Sequence, residues 1–460
     1  MPGERFDVIV VGARCAGSPV AALLARNGLR VVVVERATFP RDTLSTHVFE
    51  AEALGFLDRL GVMDRVQATG APIMRHVYLR QEDFEVRTQI PQRPGEISGV
   101  MSVRRPQLDP ILAEAAVEAG ADMRMGTRVT GLVEDDGRVT GVRVTKNGAE
   151  ATLMGRLVVG VDGRNSTVAK LVGSRKYNLT PNERFVYWSF FENAAPGPEP
   201  AIIFHRWAGR LVVACPADSG LFQALVIPER RELTRFRQDL EGSYLEYVSR
   251  CAPAAEALSG ARRVGRIYGM LRWEGFFREA SGPGWVLVGD AGHFKDPAPG
   301  QGIQDAFRQV DALAPVIVRG LHAADHDLDQ QLRNWARWRD RDAAEHYWLA
   351  TDLGKAGPAP AVVPEIARQL LAHHKLDSFL DLFNHRSLPS EVITPPRLLG
   401  ATARLLTRPG CNRRALLREV TGLIAEDTRR RRLNRRPMYV TPGASADAGE
   451  TEVEQSVAVT

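Results

Sequence analysis

Cysteine is scarce in this chain. There are four in 460 residues, Cys15, Cys215, Cys251 and Cys411, and none forms a C-x-x-C pair or a zinc-ligand spacing. A disulfide scaffold is excluded, and a reducing, cytoplasmic setting is expected. Long apolar runs are missing too: none approaches the roughly 18 to 20 residues of a membrane span. The N-terminus lacks the form of a signal peptide, because Glu4, Arg5 and Asp7 lead directly into an apolar strand and Arg14 interrupts the apolar stretch. An excess of one charge is largely absent. Sixty basic residues stand against 55 acidic ones, for a net +5, and six arginines near the C-terminus (Arg429, Arg430, Arg431, Arg432, Arg435, Arg436) exceed that difference. The case for a nucleic-acid partner is therefore poor. No H-E-x-x-H, P-loop or Ser-His-Asp order occurs, so zinc, nucleotide-triphosphate and hydrolytic chemistries lack support. The remainder is an ordinary globular composition, 44% hydrophobic and 25% charged. The length predicts about three domains and a core that needs no staple.

Phe6 to Val11 reads as a buried strand, Ser18 to Arg26 as a helix stopped by Asn27-Gly28, and Leu29 to Val34 as a second buried strand. This is a β-α-β unit with a parallel crossover. Arg75 to Ile90 alternates like a hairpin turning at Gln81 to Asp83, and Leu108 to Ala119 reads as a helix. Residues 123–161 give short strands separated by the hairpin signals Asp136-Gly137 and Asn147-Gly148. Tyr187 to Ile227 reads as longer strands with turns at Ala208-Gly209 and Ser219-Gly220, and 285–289 as one more buried strand. From Gln304 to about Glu426 the pattern is helical, with a proline-bearing linker at 354–364. The last twenty residues, acidic and poor in large apolar side chains, read as a disordered tail.

Three motifs carry the chemistry. The first is Gly12-Ala13-Arg14-Cys15-Ala16-Gly17, between the first strand and its helix. A dinucleotide fingerprint needs a tight turn, a close backbone approach to pyrophosphate and a close helix–strand contact. Gly12 and Gly17 meet the first and third needs, and Arg14 replaces the middle glycine, where its guanidinium is offered to the phosphates. Glu35, at the end of the second strand, stands where a carboxylate accepts from ribose hydroxyls, and Arg36 beside it is placed to cover adenine or a phosphate. The second motif is an apolar strand, 157–161, delivering Asp162-Gly163-Arg164-Asn165-Ser166. The third is Gly289-Asp290-Ala291-Gly292-His293, continuing through Pro299-Gly300-Gln301-Gly302-Ile303 into a helix whose free N–H groups suit an anion or a flavin carbonyl.

In this order the motifs resemble the FAD-dependent hydroxylases and reductases that share the p-hydroxybenzoate hydroxylase fold, a group that includes aromatic hydroxylases, squalene epoxidase-like enzymes, geranylgeranyl reductases and flavin halogenases. The resemblance covers roughly residues 5 to 350. It implies an α/β architecture: a discontinuous Rossmann-like FAD-binding domain (1–74, 101–175 and 271–353), an inserted antiparallel β-sheet substrate domain (75–100 and 176–270), a helical C-terminal region (354–440) and the tail (441–460). It implies that Asp290 holds the ribityl or pyrophosphate region, and that Gly300, Gln301, Gly302 and Ile303 line the isoalloxazine. Arg105 contacts FAD, and Val129 meets adenine through its backbone. The remaining cofactor-binding set is Gly12, Ala13, Arg14, Ala16, Gly17, Glu35, Arg36, Asp162 and Gly163, with Arg41 and Thr46 from the segment 41–47. Relatives carry an arginine three residues after the serine of the second motif, where this chain has Ala169 beside Lys170. That departure bears on direct reduction by NAD(P)H, the electron donor the resemblance implies. The halogenase W-x-W-x-I-P signature is absent.

The expected activity is a monooxygenase that uses NAD(P)H and O₂ to hydroxylate or epoxidise an apolar or aromatic small molecule. The alternative is a flavin-dependent reductase of polyprenyl or other apolar double bonds, and a non-enzymatic binding module ranks below both. No metal is called for. His47 is the one candidate for a catalytic side chain, a proton shuttle or a phosphate ligand, and a contact without chemistry is the competing reading. His293 reads as structural or flavin-adjacent. Tyr187, Trp188, Phe190, Phe191, Phe204 and Trp207 would either line an aromatic pocket or pack as core. Trp335, Trp338, Tyr347 and Trp348 read as packing. The arginine run reads as a solvated helix end, before a contact with anionic lipid or nucleic acid. A monomer or homodimer without a transmembrane segment is expected.

Overall fold

The computed structural model describes residues 4–41, 43 and 45–440. The acidic stretch 441–460 read as a tail, and Asp42 and Leu44 of the segment 41–47, lie outside the described residues. The β-α-β unit forms as expected: strand Glu4–Val11, helix Gly17–Arg26, strand Val31–Glu35, the strands parallel. Ala149–Gly160 adds in parallel on the other side, followed by Trp285–Leu287, and Asp122–Met125 extends the far edge. Alternation along the apolar segments 8–11 and 31–34 sends side chains to opposite faces. Val8, Val10, Val31 and Val33 pack under helices Gly17–Arg26, Arg105–Glu118 and Gly302–Leu321. Ile9, Val11, Val32 and Val34 pack against the hairpin strands Arg128–Asp135 and Arg138–Lys146. Burial on both faces is why these strands show no polar alternation.

The turns at Asp136-Gly137 and Asn147-Gly148 hold positive φ at both residues, the conformation such pairs tolerate best. The helix read from Leu108 begins three residues earlier, at Arg105, with Pro106 in its first turn, where the missing N–H costs nothing. The strand read over 285–289 stops at Leu287, because Gly289 turns at φ +59°.

A second, seven-stranded sheet runs in the order Arg262–Met270, Val186–Glu192, Phe222–Val226, Arg210–Pro216, Ala201–Trp207, His76–Gln81, Phe84–Gln89. It is antiparallel except where Ala201–Trp207 meets His76–Gln81. Helices Leu233–Gln238, Leu240–Ser249 and Ala252–Ala257 cover one face. The other face packs on the C-terminal helices, among them Val362–Ala372 and Pro395–Thr407. Aromatic side chains divide by strand alternation: Trp188, Phe190 and Phe204 take the second face, Tyr187 and Phe191 the first.

One local reading gains detail and one is corrected. The stretch read as a linker, 354–364, joins helix Asp325–Gly354 to helix Val362–Ala372 and is pinned. The buried Arg184 guanidinium donates to Lys355 O and Gly357 O, while Glu229 and Glu82 accept from the N–H groups of Gly357 and Ala359. The arginine run is only partly solvated. Arg430 is buried, forms a bidentate pair with Asp352 at 2.7 Å, and lies over the Trp348 ring. Arg429 and Arg431 pair with Glu426 and Asp427 along the same helix, Arg413–Arg435. Trp335, Tyr347 and Trp348 are buried packing residues as expected.

Candidate cofactor and substrate site

All three motifs and Glu35 emerge from the C-terminal edge of the parallel sheet, the edge at which open α/β sheets bind ligands. The Gly12 to Gly17 turn is tight for steric reasons. Gly12 sits at φ +106°, and a Cβ there would lie 2.7 Å from Val161 O. A Cβ on Gly17 would lie 1.8 Å from Gly12 O. Ala16 is buried against this turn, and a Cβ on Gly289 would lie 3.6 Å from its methyl, so the first and third motifs pack together. Glu35 is buried; one oxygen accepts from Ala13 N at 3.0 Å and the other from Ala37 N at 2.9 Å. A carboxylate has about four acceptor sites, so both oxygens retain capacity for ribose hydroxyls. Arg36 and Arg41 are exposed. Thr127 N donates to Glu35 O, which draws Val129 and its strand to the end of the second strand.

Arg14 is not free. Its guanidinium lies 3.2 Å from Asp109 and over the Phe39 ring. Asp109, fully buried, also accepts from Arg105 at 2.8 Å, and Cys15 Sγ is 3.7 Å away. Burial pushes the Cys15 thiol up to about 12. For Arg105, burial works to lower the pKa but the Asp109 carboxylate outweighs it, and the net shift is upward. Asp109 was missed in the sequence, although its i,i+4 spacing from Arg105 is a readable pair signal.

Asp162 serves its own helix. One oxygen accepts from Ser166 Oγ, the other from the N–H groups of Thr167 and Val168, and Ser166 Oγ in turn caps Ala169 N. Gly163 supplies the φ of +79° that this turn needs. Asp290 is partly exposed, and desolvation raises its pKa to about 6 despite Arg164 and Arg105 nearby. Gln301 turns its side chain away from the helix start it precedes. Its Nε2 donates to Leu382 O and Phe383 O, and its Oε1 accepts from Lys295 at 2.8 Å. Ile303 is buried, whereas Gly302 opens to solvent with nothing within 4 Å of a Cβ. Gly300 takes φ +77° beside Thr46.

Under this helix start lies a charged cluster that sequence reading missed. Lys295 and His385 both pair with Asp305, at 2.8 and 3.1 Å, and His346 stacks on His385 at 3.8 Å. Lys295 holds the Asp305 carboxyl well below the usual carboxylate range against the opposing effect of burial. Lys295 and Asp305 lie 10 positions apart, but His346 and His385 come from about 40 and 80 positions beyond Asp305, so no local spacing announces the cluster.

Beside Thr46 and Gly300, a cavity of about 720 Å³, mouth included, opens between the second sheet and the C-terminal segment. Val77, Leu79, Ile90, Phe204, Val213 and Phe383 are among its walls; among the described residues, the polar lining is Thr46, Glu50 and Asn384. Of the aromatic residues read as pocket candidates, only Phe204 lines it. Trp188 and Phe190 instead hold the His47 ring edge-on, at 6.3 and 5.6 Å. His47 is buried at φ +61°, and desolvation lowers its pKa to about 3, so its ring is neutral at physiological pH. His293, between Phe277 and Tyr347, is buried with its pKa likewise lowered to about 3.

The arrangement fits FAD. A turn closed to any Cβ, an acceptor carboxylate at the strand end, a buried arginine and an uncapped helix start lie along one sheet edge. Sequence comparison agrees: the chain matches the FAD binding domain family over residues 5–331 and belongs to that family. It is similar to the 6-methylpretetramide 4-monooxygenase of Streptomyces rimosus, 28% identical over 70% of this chain and 78% of that protein. It is also similar to the menaquinone reductase of Mycolicibacterium smegmatis, 29% identical over 69% of this chain and 77% of that one. Among solved structures, the flavin-dependent brominase Bmp2 superposes with a TM-score of 0.72 at 18% identity, over 87% of this chain and 98% of that one. The protein is an FAD-dependent oxidoreductase with the hydroxylase and halogenase fold.

Proposed function

We propose that this flavoprotein is a monooxygenase that uses NAD(P)H and O₂ to hydroxylate or epoxidise an apolar or aromatic small molecule. The observation that carries the reading is the cavity beside Gly300: nearly all its lining is apolar, and among the described residues no lysine or arginine lines it. Bound FAD would supply the redox and oxygen-transfer chemistry. The chain's own residues would bind, orient and keep water out. Glu35 would take the ribose, Arg105 and the first turn of Gly302–Leu321 would face anionic parts of the cofactor, and the backbone at Gly300 would meet the ring. Asp162 acts through its helix cap, setting the turn at Gly163, and His47 contributes a neutral wall. Gln301 ties the C-terminal segment over the cavity, which helps to exclude water.

Four free cysteines support a cytoplasmic setting, and among the described residues no helix is long and apolar enough to cross a membrane. The similarity to a menaquinone reductase favours one rival, reduction of an apolar double bond. The deciding experiment is anaerobic reduction of the purified, FAD-loaded protein with NADH or NADPH, followed by oxygen with a panel of phenols and isoprenoids. Oxygenated product with coupled O₂ consumption is expected. A saturated double bond formed without O₂ would replace this reading by the reductase.

A further inference from the structure

We propose that Glu50 and Asn384 form a polar anchor at the wall of this cavity, and that the substrate is a neutral apolar ring system carrying a hydroxyl group, not a carboxylate. This rests on the assignment of the cavity to the substrate of the monooxygenase. Glu50 ends the short strand Val48–Glu50, which pairs with Val100–Ser102. It is 4% exposed, and its Oε2 has no hydrogen-bond partner. Asn384, 3% exposed, follows the helix Asp377–Leu380, and its Oδ1 is likewise without a partner. A buried polar atom left unpaired costs about 1 to 3 kcal/mol, and here two such atoms belong to side chains that line one otherwise apolar cavity.

The charge state decides what they bind. Burial drives the Glu50 carboxyl well above its usual range. Lys295, the neighbouring cation, is already committed to Asp305 and Gln301. Burial favours the protonated form of Glu50, which offers one O–H donor beside its acceptor capacity. Asn384 Oδ1 can only accept. A hydroxyl has the chemistry to answer both, accepting from a protonated Glu50 and donating to Asn384 Oδ1. A carboxylate would present only acceptors to Asn384 Oδ1 and would enter a cavity whose described lining holds no cation, at a high desolvation cost. Gln301 fixes this geometry by donating to the carbonyls of Leu382 and Phe383, immediately before Asn384.

The test is equilibrium binding of naphthol, methylnaphthalene and naphthoate to the FAD-loaded protein, read calorimetrically at neutral pH without NAD(P)H. Naphthol should bind about tenfold tighter than methylnaphthalene, the worth of one net hydrogen bond, and naphthoate should be the weakest. Glu50→Leu and Asn384→Leu should each shrink the naphthol preference to about twofold or less, while Glu50→Gln, still a neutral donor and acceptor, should keep most of it. If one leucine variant does not fold, the other and the wild-type ranking still decide. Equal binding of naphthol and methylnaphthalene, naphthoate binding as well as naphthol, a preference intact in the leucine variants, or no binding of any probe each overturns the anchor. Oxygen transfer plays no part in this readout. A protein that shows the predicted ranking but never oxygenates a substrate would refute the monooxygenase and leave the anchor standing.

Discussion

Asp109→Asn is the sharpest perturbation available on the cofactor side, because one fully buried carboxylate serves two arginines. Its Oδ1 accepts from Arg105 at 2.8 Å and its Oδ2 lies 3.2 Å from Arg14. The two partners differ. Arg105 is 9% exposed at its side chain, and stripping a buried charge of its partner costs about 3 to 5 kcal/mol. Arg14 is 25% exposed, and its pair is worth about 0.2 to 1 kcal/mol. FAD-free protein should therefore lose about 3 to 5 kcal/mol, dominated by Arg105. With a urea slope of about 3 kcal/mol per M, the unfolding midpoint falls by about 1 M or more. FAD-loaded protein should lose less. With Arg14 and Arg105 turned toward the diphosphate, as the proposed FAD site has them, that anion would restore a negative partner to both guanidinium groups. By linkage, the difference between the two losses is the change in FAD binding free energy, so the Kd of the variant should be no weaker than that of the wild type. Urea titrations followed by tryptophan fluorescence, with and without FAD, measure both. An unchanged midpoint in the FAD-free protein would refute the worth assigned to the buried pair. Equal losses in both forms would show that neither arginine is turned toward the diphosphate.

Gly302→Ala and Gly17→Ala should part company. A Cβ on Gly302 meets nothing within 4 Å, so the FAD-free protein should melt as the wild type does while FAD binds more weakly, whereas a Cβ on Gly17 runs into Gly12 O and should abolish folded, yellow protein; wild-type FAD affinity in Gly302→Ala would remove that backbone from the flavin site. The folded pKa of Asp290, near 6, lies above its unfolded value of about 3.9. Its contribution to stability is therefore fully present below about pH 4 and is lost as the pH rises through 6. In FAD-free protein the stability of Asp290→Asn relative to wild type should rise between about pH 4 and 6.5 and then level off; a difference independent of pH would contradict the desolvation of Asp290.

How much of this was legible in the sequence depends on distance along the chain. Strands such as Val31–Glu35, buried on both faces, announce themselves by composition, and the glycine turn is local. Asp162 was half legible: its place at a strand end was read, but Ser166, which takes one of its oxygens and caps the next helix, was not read as a cap. Arg430 shows the limit of reading charge runs, since nothing in a row of arginines says which one finds an aspartate 78 residues away. Glu50 and Glu52 stand two positions apart in the same short segment. Yet Glu52 pairs with Arg308 while Glu50 keeps an unpaired oxygen at the cavity wall. Only the pairing of Val48–Glu50 with Val100–Ser102, a contact across about fifty residues, separates their fates.

The two halves of the site treat charge in opposite ways, and the contrast explains how one fold edge serves both. Along the proposed cofactor edge the ions are matched: Arg14 and Arg105 with Asp109, and Lys295 with Asp305. Matched ions can face an anionic cofactor without a large cost of burial. On the side of the proposed substrate cavity Glu50 Oε2 has no hydrogen-bond partner, and burial favours the neutral carboxyl. An ionised group in that cavity would hold water against the apolar walls, and water is what an oxygen-transferring site has to exclude. Lys295 sits where the two regimes meet. Were it released from Asp305 and Gln301, it would stand free to ionise Glu50, and the cavity would gain a charge together with its hydrating water. The pairing beneath the helix start therefore favours the neutral form of Glu50 at the cavity wall, although Lys295 and Asp305 do not line that cavity.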